Sequence, residues 1–144
     1  MTVAAVLKHK GSDVAAAAPG TTVAQVVSQL SRLKIGALVV KGLDGNLLGI
    51  LSERDIVHAL AANGAHALEM TASDLMTRAV RTVTPQTSVT AAMAMMTAGR
   101  FRHLPVVDDG RMVGIISIGD VVKAKIDQQE AEVDSLKAYV SGTA

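Results

Sequence analysis

The chain has 144 residues and a formal net charge of +1 at neutral pH, enough for one compact domain with a real core and too little charge for a nucleic-acid footprint. It has no cysteine, which excludes disulfides, thiolate catalysis and zinc–thiolate sites and fits a reducing cytoplasm. Phe101 and Tyr139 are the only aromatics, too few for a base-stacking platform, and no apolar run approaches the roughly 20 residues of a membrane helix, so a soluble cytoplasmic protein without nucleic-acid or membrane partners is expected.

In chain order, Val3 to Leu7 is expected to form a short helical turn, and Lys8-His9-Lys10-Gly11 interrupts any signal-peptide core. Val14 to Ala18 is a short apolar run ending at Pro19. Val23, Val26, Val27, Leu30 and Leu33 then follow helical spacing. Ala37 to Val40 and Leu47 to Leu51 read as strands around a Gly42-Leu43-Asp44-Gly45-Asn46 hairpin, with a helix from about Glu53 to Ala62. Residues 64–72 read as a linker, and Ser73-Asp74-Leu75-Met76 as a capped single turn. Val80 to Val83 predicts a strand, Val89 to Ala98 a helix stopped by Gly99, and His103 to Val107 with Arg111 to Ile116 a second hairpin. A last helix begins near Ile118 and runs to about Val140.

The chain repeats itself. Gly49-Ile50-Leu51-Ser52-Glu53-Arg54-Asp55 returns as Gly114-Ile115-Ile116-Ser117-Ile118-Gly119-Asp120. Upstream, Pro19, Thr21, Val23, Leu38 and Val40 fall 66 residues before Pro85, Thr87, Val89, Leu104 and Val106. The duplication predicts a mixed α/β (α+β) fold of two pseudo-symmetric β-α-β-β-α repeats packed as one module, with two related clefts. The repeats span 3–63 and 73–126, and 127–144 forms a helical extension and tail. Val122, Ile126, Gln129, Val133, Leu136 and Val140 form a heptad-spaced seam on the last helix, which fits packing either on its own domain or on a second subunit.

Read as chemistry, Ser117 three residues before Asp120 at a helix start is a capping arrangement. That alone accounts for the spacing, and it is compatible with an acid that accepts from a ribose diol. Ser52 and Asp55 carry the same pattern. His9, His58, His66 and His103 lack metal-ligand spacing, and no nucleophile elbow, P-loop or dinucleotide fingerprint is present. Neither catalysis nor a metal site is expected.

The paired units, with Ile35-Gly36-Ala37-Leu38-Val39-Val40 in the first and Phe101-Arg102-His103-Leu104-Pro105-Val106-Val107 in the second, each followed by its Gly-to-Asp heptapeptide, resemble a tandem of cystathionine β-synthase (CBS) domains. The resemblance covers about Val3 to Lys125. It implies a stand-alone regulatory module of the bacterial signalling type. AMP, ATP or NAD(H) would bind as a regulatory ligand in the clefts between the repeats, with no cofactor required. A homodimer signalling energy or redox state to an effector protein is expected. The resemblance implies that Asp120 and Ser117 hold the ribose while Arg102 and His103 meet phosphate, with Thr82 and Thr84 as hydroxyl donors. Backbone groups at Ile35 to Leu38 and Phe101 to Leu104 would read the adenine edge, with Pro105 beside them and Ile115 or Ile50 covering a face. Lys8, Arg78 and Arg100 are weaker phosphate candidates.

The first repeat has Gly36 and Ala37 where the second has Arg102 and His103, and Ala16 and Ala18 in place of Thr82 and Thr84. Its Ser52–Asp55 site is therefore expected to be the weaker one. The competing reading is a ligand-independent dimeric interaction module that uses the C-terminal helix.

Overall fold

The computed structural model describes residues 1–142. In chain order it contains α1 (Val3–Lys10), β1 (Ala16–Ala17), α2 (Val23–Leu33), β2 (Ala37–Lys41), β3 (Leu47–Ser52), α3 (Glu53–Asn63), a 3-10 helix (Gly64–Glu69), α4 (Ala72–Leu75), α5 (Val89–Gly99), β4 (His103–Asp108), β5 (Arg111–Ser117) and α6 (Ile118–Val140). They form two compact units, Asp13–Arg81 and Met1–Ser12 with the chain from Thr82 onward.

In the Asp13–Arg81 unit, β2 pairs in parallel with β1 and antiparallel with β3. Leu38, Val40 and Leu51 are fully buried from the sheet, and Val23, Val26 and Leu30 meet them from α2. The apolar spacing of that helix puts these three on one face. Thr22 and Gln25 close its start with a reciprocal capping box.

The other unit repeats this plan with β4 antiparallel to β5 and a core of Val89, Ala92, Met96, Leu104, Val106 and Ile116. The strand expected over Val80 to Val83 shrinks to a single parallel bridge, Val83 to Val106. Pro105 supplies the reason. In the first unit the Val39 amide donates to the Ala15 carbonyl at 3.1 Å, extending the ladder backwards. Pro105 stands 66 residues after Val39 and has no N–H to donate.

The spatial units do not coincide with the sequence repeats. The leading helix α1 belongs with the second repeat, and α4 with the first. Amides at the start of α1 donate to Thr87 and Pro85 carbonyls at 2.8 and 2.9 Å, while those of α4 donate to Thr21 and Pro19 at 2.8 and 3.0 Å. The Pro-x-Thr element of each repeat is thus the seat for the other repeat's leading helix.

Three local expectations change. The residues expected to link the repeats contain the 3-10 helix Gly64–Glu69. The cap of α4 is Thr71, whose hydroxyl accepts from the Asp74 amide, rather than Ser73. Helix α5 includes Gly99, and its left-handed cap is Arg100 (φ 56°), matching Lys34 (φ 55°) after α2. On α6, Val121 is buried, but Val133, Leu136 and Val140 are 49, 63 and 78% exposed. Only the beginning of that helix packs on its own unit.

Candidate functional site

The second repeat's unit gathers its polar candidates where β4 begins and β5 ends. Antiparallel register sets His103 opposite Ser117. The Ile118 amide donates to the Arg102 carbonyl at 2.8 Å, tying the first turn of α6 to the residue before β4. Ser117 caps α6. Its hydroxyl accepts from the Asp120 amide at 3.1 Å, and its amide donates to Asp120 Oδ2 at 2.8 Å. The capping arrangement read from the sequence is therefore present. It also fixes the carboxylate beside the hairpin.

Lys10 adds a group that sequence reasoning passed over in favour of Lys8. Its ammonium donates to Asp120 Oδ2 at 2.6 Å and to the Ile115 carbonyl at 2.8 Å. Burial alone would raise the Asp120 carboxyl. The hydrogen bond from Lys10, the Ser117 amide, the Lys10 charge and the Ser117 hydroxyl together outweigh burial and hold it below its ordinary value.

The signal for Lys10 lay in a second offset. Leu7 packs against the Gly114 backbone as Met76 packs against Gly49, so the leading helices align 69 residues apart and Lys10 stands opposite Ala79. Where Lys10 donates to Ile115, the first unit has a backbone bridge in which the Thr77 amide donates to the Ile50 carbonyl at 2.9 Å. Helix α4 ends early enough for Thr77 to pair as a strand, whereas α1 runs on through Lys10.

The remaining candidates fall into groups. Leu104 is fully buried with Val106 and Ile116, and Phe101 packs against the same core. The Leu104 side chain is thereby committed to the interior. Strand alternation puts His103, Pro105, Ile115 and Ser117 on the opposite face. Arg102, Thr82 and Thr84 are exposed. The Thr84 hydroxyl is paired with that of Thr87 at 3.3 Å, and the Thr87 hydroxyl also accepts from the Thr84 amide at 3.1 Å.

The first repeat has the same frame with plainer chemistry. Ala37 lies opposite Ser52, and the Glu53 amide donates to the Gly36 carbonyl at 2.9 Å. Asp55 Oδ2 accepts from the Ser52 amide and hydroxyl at 2.9 and 3.0 Å. Ile35 is exposed, and Ala37 is buried. Among the described residues no cluster of three or more metal-ligating side chains occurs, and no helix is long and apolar enough to cross a membrane.

Comparison with known proteins agrees with the repeated architecture. The CBS domain family matches twice, over residues 6–62 and 72–127. A mitochondrial CBS domain-containing protein of Arabidopsis thaliana is 36% identical, covering 98% of this chain and 72% of its own length. The crystal structure of a CBS-domain containing protein from Agrobacterium tumefaciens superposes with a TM-score of 0.85 at 44% identity, over 86% of this chain and 92% of that one. A CBS domain protein from Pyrobaculum aerophilum, complexed with AMP, superposes with a TM-score of 0.74 at 25% identity, over 83% of this chain and 89% of that one. Proteins of this family are generally regulatory. With both repeats matched in order and the fold shared along most of its length, the chain belongs to the CBS domain family.

Proposed function

We propose that this chain is a non-catalytic cytoplasmic module that binds an adenine nucleotide through its second repeat and signals occupancy to an effector protein. The carrying observation is the Asp120 carboxylate, held by Ser117 and accompanied by Lys10, Arg102 and His103 around one hairpin end. Asp120 accepts from ribose hydroxyls, and Lys10 and Arg102, with the His103 imidazole, meet phosphate. Ile115, half-buried on β5, offers apolar surface to the base and Thr82 a hydroxyl, whereas Pro105, expected beside the base, is already buried in β4. AMP, ATP and NAD(H) share the required ribose and phosphate. The AMP-complexed relative favours this class of ligand. The Ser52–Asp55 site, flanked by Gly36 and Ala37, is the weaker or empty one.

In this reading, millimolar AMP, ATP or NAD raises the melting temperature of the wild type by roughly 5–10 °C. Asp120→Ala abolishes the shift, while Asp55→Ala retains most of it. A wild type that melts unchanged with every adenine nucleotide, or an Asp120→Ala protein that shifts equally, refutes the assignment.

The exposed row Val122, Ile126, Val133, Leu136 and Val140 favours a homodimer through α6. It also supports the second reading, a dimeric interaction module with no ligand. Native mass spectrometry of the purified protein is expected to show a dimer. A monomer at micromolar concentration rejects that use of the helix.

A further inference from the structure

We propose that Lys10 is a displaceable counter-ion that makes the Asp120 site select phosphorylated nucleosides over bare ones. The inference rests on the nucleotide-binding reading above and assigns it a specificity residue.

The ammonium of Lys10 spans two acceptors, Asp120 Oδ2 at 2.6 Å and the Ile115 carbonyl at 2.8 Å. The same Oδ2 already takes the Ser117 amide at 2.8 Å. A ribose diol that donates to Asp120 therefore competes with Lys10 for the carboxylate. The Lys10 and Asp120 side chains are 33 and 24% exposed, so the pair is open to solvent and to exchange. An ion pair at this exposure is weakly held, and the four-carbon lysine stem lets its ammonium swing without moving the helix.

The consequence of displacement differs between ligands. A nucleoside that displaces Lys10 leaves a cation without its anion. A nucleotide brings a new anion, and the released ammonium pairs with the phosphate. The charge lost at Asp120 is regained only when phosphate is present. In the first repeat Asp55 is held by its own Ser52, and Ala79 stands at the position matching Lys10.

Calorimetric titration of the full chain with AMP and with adenosine tests the assignment. In Lys10→Met, adenosine is expected to bind roughly threefold to tenfold tighter than to the wild type, and the preference for AMP over adenosine to fall at least about tenfold. Lys10→Arg keeps the charge and most of the preference. Should Lys10→Met not fold, Lys10→Gln, which keeps a donor for the Ile115 carbonyl, carries the same comparison. An unchanged AMP-to-adenosine ratio, or equal weakening of both ligands, overturns the proposal and makes Lys10 a support for Asp120 only. In either case wild-type AMP binding that Asp120→Ala abolishes leaves the nucleotide reading standing. A wild type that binds neither ligand overturns both.

Discussion

Leu51→Ala is expected to lower the free energy of unfolding by about 2–5 kcal/mol, toward the upper end of that range. Leu51 is fully buried and pairs across β2 and β3 with Leu38, which is also fully buried. Val23 and Val26, both fully buried, belong to the same core, with Leu30 7% exposed. β-branched neighbours have restricted rotamers, so they cannot swing into the space that a lost isobutyl group leaves. The cavity therefore persists and adds to the lost transfer energy. Urea denaturation should show an earlier midpoint at an unchanged slope. Because Leu38 and Leu51 share this space, the double alanine variant should cost less than the sum of the two single variants. A loss below about 1 kcal/mol for Leu51→Ala would contradict this account of the core.

The second large effect concerns the glycine that opens each heptapeptide. Gly49→Ala is expected to cost about 1–3 kcal/mol. An added Cβ would lie 2.6 Å from Met76 Sδ and 2.8 Å from the Thr77 carbonyl oxygen. The methionine can move. The carbonyl cannot move freely, because Thr77 and Ile50 exchange two backbone hydrogen bonds of 2.9 and 3.0 Å. At Gly114 the same Cβ meets the two terminal methyl groups of Leu7, at 2.7 and 3.0 Å. A flexible side-chain end yields more readily, so Gly114→Ala should cost less than about 1 kcal/mol. Parallel urea titrations of the two variants decide the point. Equal losses would show that the Thr77 bridge is not what resists the methyl group.

These two glycines also show how far the sequence could be read. Their recurrence, with Ser and Asp at matching places, was enough to reveal a duplication and its β-α-β-β-α order. Helix and strand spans followed from apolar spacing, because each element buries one face and the pattern is local. The reason for glycine itself was hidden, since Leu7 and Met76 are distant from Gly114 and Gly49 in sequence. The loss of the strand before Pro85 was hidden similarly. It depends on a missing amide at Pro105, visible only when β4 is laid against Val83.

The candidate site divides along the same line. Local sequence was sufficient for Ser117 and Asp120, because a cap is built from residues three apart. It was also sufficient for the contrast between Arg102–His103 and Gly36–Ala37, because cross-strand register follows from the hairpin. Lys10 was not legible in this way. It lies 110 residues from Asp120 and in the other sequence repeat. Only the placement of α1 against the second repeat brings its ammonium to that carboxylate, as packing of a short amphipathic helix is decided by the partner that buries it. The repeated fold and the caps were thus written in the order of residues along the chain. Which cation faces Asp120 was settled by packing, because an ion pair requires proximity in space, and the 69-residue offset that marks Lys10 emerges only once Leu7 and Met76 are seen against Gly114 and Gly49.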